Sequence, residues 1–135
     1  MDLNEFICKN NVDFAAYLIK EADLRLVEKE LGVKFGPQLS AYLLDYGYLG
    51  FESVEFYGMN ARQGMNSDLV KQTLYLHKYY AKTSPYVAIE NYGEGDYILV
   101  DSDDNVLRFI SEENTLKKVG MKLFEYILIR FQAEL

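Results

Sequence analysis

The sequence holds very few of the residues that usually build metal centres or nucleophilic sites. Its 135 residues include one cysteine, Cys8, and one histidine, His77. A single cysteine excludes an internal disulfide, and one cysteine with one histidine cannot supply a four-ligand zinc set. Tryptophan is absent and only two prolines occur. No Pro/Gly/Ser-rich linker and no internal repeat interrupt the chain, so residues 1–135 read as one domain. No apolar run approaches the ~20 residues that a membrane-crossing helix needs. The acidic start Met1-Asp2-Leu3-Asn4-Glu5 lacks the charged-then-apolar order of a secretion signal. The expectation is a soluble protein of a reducing cytoplasm. Basic residues are outnumbered, 14 against 21 acids, for a net charge of −7. That balance argues against direct nucleic-acid binding, which rests on basic surface.

What is present is core-forming material. Half of the residues are hydrophobic, which suffices for a packed interior without staples. Asp2 can cap a short helix with Leu3, Phe6 and Ile7 on one face. Residues 12–19 are ambiguous: Phe14, Tyr17 and Leu18 fit either an extension of the next helix or a surface coil. From about Lys20 to Leu31, Leu24, Val27 and Leu31 follow helical spacing, and Gly32 is a good stop. Gly36-Pro37 opens another helix, with Leu39, Tyr42, Leu43 and Tyr46 as its stripe and Gly47 as its end. Ser53–Tyr57 alternates as a strand, residues 59–66 read as loop, and Ser67-Asp68 can cap a helix to about Ala81. Three strands follow, Tyr86–Glu90, Asp96–Asp101 and Val106–Ile110, joined by short turn-rich connections. A last helix spans residues 120–134, with Leu123, Phe124, Ile127, Leu128 and Phe131 inward. This order predicts an α+β domain: an antiparallel or mixed sheet of about four strands with helices packed on it.

Little of this is catalytic. His77 lies within a helical segment with no nucleophile motif beside it, and reads as an exposed or half-buried helix residue. Cys8 reads as a small packing residue. Gly93-Glu94-Gly95-Asp96 lacks the lysine and hydroxyl of a phosphate loop and sits in a hairpin. Asp101-Ser102-Asp103-Asp104-Asn105 with Glu112 matches several ligand positions of a calcium loop. Val106 stands where that loop needs glycine, Arg108 where it needs an apolar residue, and the flanks read as strands. No metal or cofactor is expected.

The charge distribution is more informative. Residues 90–113 carry eight acids (Glu90, Glu94, Asp96, Asp101, Asp103, Asp104, Glu112 and Glu113) against one base, Arg108. That segment alone matches the net charge of the whole chain. Acids at hairpin tips and strand ends either serve solubility and turn formation or form a face that meets a basic protein. A second patch is Tyr48 with Glu52 and Glu55, in a helix-to-strand turn bracketed by Gly47 and Gly50. Its structural reading buries Leu49 and Phe51; its functional reading exposes Tyr48 as a binding rim.

Val27-Glu28-Lys29-Glu30-Leu31-Gly32-Val33-Lys34-Phe35, then Gly36-Pro37-Gln38-Leu39 and the helix ending at Tyr46-Gly47, resemble the opening signature of the SUKH superfamily. That superfamily joins fungal cell-wall synthesis regulators to many bacterial immunity proteins. Gly50–Gly58 resembles its first strand, and Val87–Asn91 with Gly93–Asp101 its hairpin. Asn105–Phe109 and Leu123–Leu128 resemble its last strand and final helix. The likeness covers roughly residues 20–132. The proline falls one residue later than the common Leu-Pro of the family, and the frequent tryptophan near the strands is missing.

The resemblance implies binding without catalysis. An immunity protein would neutralise a cognate polymorphic toxin, such as a nuclease, by direct contact with a basic surface. The partner-binding residues expected are Tyr48, Glu52, Glu55, Glu90, Glu94, Asp96, Asp101, Asp103 and Asp104. Two alternatives stand beside this: a regulatory or scaffold module without a toxin, and a small-molecule binder or enzyme using Tyr46, Tyr48, Tyr57 and Glu55. An exposed strand edge could also pair two copies, though no residue specifies it.

Overall fold

In the computed structural model, which describes residues 1–15, 19–59 and 62–135, several helix ends fall where the sequence offers caps. Helix α1 (Leu3–Lys9) starts at Asp2, whose carboxylate accepts from the Glu5 amide at 2.8 Å. It buries Leu3, Phe6 and Ile7. Cys8 is exposed, which corrects its reading as a packing residue. The inward stripe of so short a helix already holds three apolar side chains, and position 8 falls outside it. Helix α2 (Glu21–Leu31) ends at Gly32 in the left-handed conformation, φ +70°. Helix α3 (Pro37–Asp45) begins on its proline and buries Leu39, Tyr42 and Leu43. Helix α4 (Leu69–Tyr79) is capped by Asp68, which accepts from Val70 and Lys71. Helix α5 (Leu123–Gln132) closes the chain.

Two antiparallel sheets receive these helices. The smaller has the order β1-β2-β3: β1 (Asp13–Phe14), β2 (Leu49–Phe51) and β3 (Val54–Phe56). The larger is a meander of β4 (Val87–Gly93), β5 (Asp96–Val100), β6 (Asn105–Ile110) and β7 (Thr115–Lys122). The α+β class holds, with seven strands among the described residues in place of about four. Part of the ambiguous segment at 12–19 is strand β1, short and polar enough to have no period of its own. Tyr17 and Leu18 lie outside the described residues.

Strand β7 replaces the expected helical start at residue 120. Between the pairs Leu107–Lys118 and Asn105–Lys122, β7 spends four residues on two of β6, and Gly120 takes φ +86° within that bulge. The irregularity breaks the two-residue alternation by which a strand is recognised.

Among the described residues a backbone bond joins the sheets, from the Tyr57 amide to the Ile89 carbonyl at 2.8 Å. Ile89 is the extra residue of a bulge in β4, between the pairs Ala88–Leu99 and Glu90–Ile98. Helix α4 packs on β4, where the Thr73 hydroxyl accepts from the Ala88 amide at 3.0 Å. Helix α5 contacts β6 and β7. The rings of Phe6, Phe51, Phe56 and Phe131 meet at centroid separations of 5.3–5.9 Å and unite α1, β2, β3 and α5.

Asp104 ties these parts together. It lies in the β5–β6 turn at φ +65° and is 2% exposed. Its carboxylate accepts from the Gln38 and Leu39 amides at 2.8 and 2.9 Å, at the start of α3. Its carbonyl accepts from the Leu123 amide at 3.0 Å, at the start of α5. The Gln38 side chain accepts from the Phe124 amide at 2.9 Å. Gly36 leaves room for this: a Cβ there would lie 2.4 Å from an Asp104 carboxylate oxygen. Asp104→Ala should lower unfolding free energy by about 2–3 kcal/mol in urea titration, through loss of charge-assisted caps and a poorer left-handed residue. Asp104→Asn should cost roughly half as much, because asparagine keeps one acceptor and tolerates the turn. Gly36→Ala should approach the Asp104→Ala value by pushing the cap out.

Candidate functional site

The predicted binding residues separate into three places. The first is the outer face of the small sheet. Along β2 and β3, Leu49, Phe51, Val54 and Phe56 turn into the core, which leaves Gly50 and Glu55 paired on the other face. Tyr48 folds back over Gly50, where a Cβ would sit 2.8 Å from its hydroxyl oxygen. The Tyr48 hydroxyl donates to Glu55 at 2.5 Å, and the Arg62 guanidinium lies 3.7 Å from the centre of its ring. Tyr48 is therefore 5% exposed, which corrects its reading as an exposed rim. Glu52, at φ +53° in the β2–β3 turn, and Glu55 remain exposed.

The second place is the end of the meander that carries the β4–β5 hairpin. Here β3 and β4 flank an open groove of about 430 Å³, lined by Ser53, Glu55, Tyr57, Glu90, Tyr92 and Arg130 among others. Glu90 forms its floor. This carboxylate is 1% exposed, pairs with Arg130 at 2.5 Å and accepts from the Tyr126 hydroxyl at 2.8 Å. It is a buried anchor, not the surface acid expected from sequence. A second β4 bulge, between Asn91 and Gly93, turns Tyr92 outward. Its ring centre lies 5.0 Å from the Arg130 guanidinium and 5.1 Å from that of Arg108. Arg108 is held in turn by Asp96, through Nε at 3.1 Å and through a shorter bond from Nη2. Tyr92 is 46% exposed with its ring beside two paired arginines, an aromatic group of the type enriched at protein interfaces. The Ser111 amide donates to the Gly95 carbonyl, so Glu94 sits beside the β6–β7 turn with Glu112 and Glu113, all three exposed.

The third place is the β5–β6 turn at the opposite end of the strands, roughly 15–17 Å away for five extended residues. The Asp101 carboxylate accepts from the amides of Asp103 and Asn105, both at 2.9 Å, and Lys122 donates to the Asp103 carbonyl at 2.6 Å. Burial works to raise the Asp101 pKa, but the Asn105 and Asp103 hydrogen bonds and the Lys122 charge outweigh it and hold it below the usual value. Asp104 points inward to its caps and is not a surface group. The acids of residues 90–113 thus form two exposed tips, not one continuous face.

The expectation from sequence did not include Tyr92, Tyr126 or Arg130. Arg130 reaches Glu90 across 40 residues, and no local pattern announces such a contact. His77 behaves as expected, half-buried on α4 with Nε2 2.7 Å from the Tyr86 carbonyl oxygen. Among the described residues no group of three or more His, Cys, Asp or Glu side chains could hold a metal ion. No helix among them is long and apolar enough to cross a membrane.

The groove thus joins an exposed aromatic ring to two buried or half-buried ion pairs within an α+β frame. The family model described as SMI1-KNR4 cell-wall (SUKH_5) matches residues 3–132. The chain belongs to this family of the SUKH superfamily, whose members are generally non-catalytic immunity or regulatory domains. No curated protein matches it significantly.

Arg130→Met leaves the Glu90 carboxylate buried without its counter-charge and should cost about 3 kcal/mol in urea titration; Glu90→Leu combined with Arg130→Met should recover much of that loss. Alkali supplies a second test. Burial, first of all, raises the pKa of Tyr42, Tyr57 and Tyr126. The folded state holds these phenols neutral, so their contribution is complete below the unfolded tyrosine pKa of about 10 and is lost as pH rises beyond it. Tyrosinate absorbance should therefore rise in two phases, exposed rings first and these three only as the chain unfolds.

Proposed function

We propose that this protein is an immunity-type binder that blocks a cognate toxin by direct contact. Its binding surface is the groove rim and adjoining tip, from Glu52 and Glu55 through Tyr92 to Glu94, Asp96, Glu112 and Glu113. The observation that carries the proposal is Tyr92, exposed and flanked by the guanidinium groups of Arg108 and Arg130 near three exposed acids. Contacts that favour one position of the ring before binding reduce the freedom it loses on binding. The surrounding acids favour a partner with a basic surface and speed encounter. A nuclease-type toxin domain, basic where it holds nucleic acid, fits this chemistry. The cell-wall wording of the family description supports a second reading, a regulatory module with a cellular protein partner.

Co-expression with a growth-arresting nuclease toxin candidate separates the two: an immunity protein restores growth against its cognate toxin, whereas a regulatory module does not. With the toxin in hand, Tyr92→Ala should weaken binding at least about tenfold in calorimetry. Reversing Glu94, Glu112 and Glu113 to lysine should slow association at low salt by about tenfold, and the difference should shrink at high salt. Asp103→Lys, at the far tip, should leave association unchanged. Equal slowing from the far tip would move the contact surface to the β5–β6 turn.

A further inference from the structure

The groove between β3 and β4 contains a polar group that the fold does not use. Among the described residues four tyrosines are buried: Tyr42, Tyr48, Tyr57 and Tyr126. Three of them donate their hydroxyl to a neighbour. Tyr42 donates to the Tyr57 carbonyl at 2.6 Å, Tyr48 to Glu55 at 2.5 Å and Tyr126 to Glu90 at 2.8 Å. The Tyr57 hydroxyl has no hydrogen-bond partner among the described residues, although its amide and carbonyl are both bonded. Tyr57 is only 4% exposed and lines the groove, and the charges of Glu90 and Glu55 both act on its hydroxyl. A buried hydroxyl without a partner costs free energy that a ligand donor in the groove would recover. The charge around it selects the donor. Arg130 is taken up by Glu90, through Nε at 3.2 Å and Nη2 at 2.5 Å. Glu55 is exposed at the groove and uses one of its oxygens on Tyr48. The Ser53 hydroxyl, on the groove wall, donates to Glu134 at 2.5 Å and brings that carboxylate beside it. Arg62 rests on the Tyr48 ring, and neither Glu55 nor Glu134 has an ion-pair partner among the described residues.

We propose that the groove receives one protruding arginine side chain of the protein partner, an inference that rests on the binding function proposed above. The guanidinium donates to the second oxygen of Glu55 and to the Tyr57 hydroxyl oxygen, and the methylene stem runs beside the Tyr92 ring. A planar group with five N–H donors reaches two acceptors at once, whereas an ammonium acts as a compact point charge. A carboxylate is a poor occupant, because Glu90 already holds the Arg130 donors and Glu55 repels a second anion.

NMR titration of the full chain with Nα-acetyl-arginine methylamide reads this without the toxin. The expected result is saturable shifts of the Asn91, Tyr92 and Gly93 amides, with a dissociation constant on the order of 1 mM. The citrulline analogue, of nearly the same shape but uncharged, should give no saturation, and the lysine analogue should bind several-fold more weakly. Tyr57→Phe should weaken the arginine probe about tenfold, while urea titration shows stability unchanged or higher, because the hydroxyl has no bond in the fold to lose. Glu55→Gln should weaken the probe by about the same factor. The proposal is overturned if citrulline binds as well as arginine, if a glutamate analogue binds in its place, or if Tyr57→Phe destabilises the fold or leaves probe affinity unchanged. Free arginine that binds at least about tenfold more tightly than the blocked form also overturns it, in favour of a metabolite site. Growth rescue is a separate readout. Rescue without saturable probe binding removes the arginine subsite and leaves the immunity function standing; saturable binding without rescue from any candidate toxin keeps the subsite and removes that function.

Discussion

A buried carboxylate at the meeting point of two helix starts governs this architecture. A helix N-terminus presents unpaired amides and the positive end of its dipole, and burial makes both expensive unless an acceptor arrives. Asp104 supplies acceptors to two helices at once, its side chain to α3 and its carbonyl to α5, and Gln38 completes the second cap. The turn that carries Asp104 is therefore the joint through which the meander holds the α-layer. The left-handed backbone at Asp104 and the absence of a side chain at Gly36 are local conditions for that joint.

The same accounting changes the meaning of the acidic segment. As a string of letters it is a block of charge. In the fold, Asp104 is absorbed by amides, Glu90 by Arg130 and Tyr126, and Asp96 by Arg108. What remains exposed is divided between two tips. On the proposed contact surface the Glu90–Arg130 and Asp96–Arg108 pairs cancel, while Glu52, Glu55, Glu94, Glu112 and Glu113 stay exposed, so the surface joins net negative charge to the shape of the Tyr92 ring.

Helices α1, α2 and α4 were legible because their stripes and end signals, Asp2, Gly32 and Asp68, are local. The starts of α3 and α5 are capped from a distance by Asp104, so only Pro37 announces the first, and the second falls three residues after its expected start. Strands β4 to β6 were legible because turn residues punctuate them. Strand β1 is two residues long and β7 is broken by a bulge, so neither shows a sustained period. The candidate patch was half legible. The charge of Glu55, Glu94 and Asp96 is visible in the letters, but Glu90 is buried against Arg130 and Tyr126 and Asp104 against the α3 amides, and these partners arrive from distant segments. Tyr48 shows the difficulty: its neighbours predict a surface turn, but its ring folds over Gly50, its hydroxyl bonds Glu55 and the Arg62 guanidinium lies on its face.

The separation between the Asp104 joint and the β4–β5 and β6–β7 turns bears on how such a protein can change over generations. Glu94, Glu112 and Glu113 are exposed, away from both helix caps and the phenylalanine cluster. Substitutions at Glu112 and Glu113 leave the folding free energy nearly untouched, while Glu94, at φ +53°, accepts asparagine or glycine best. Descendants facing an altered partner can thus revise the tips one residue at a time, each step passing through a protein that still folds. The scaffold lends itself to diversification because the residues that hold it together and the residues that face outward at these tips are different residues.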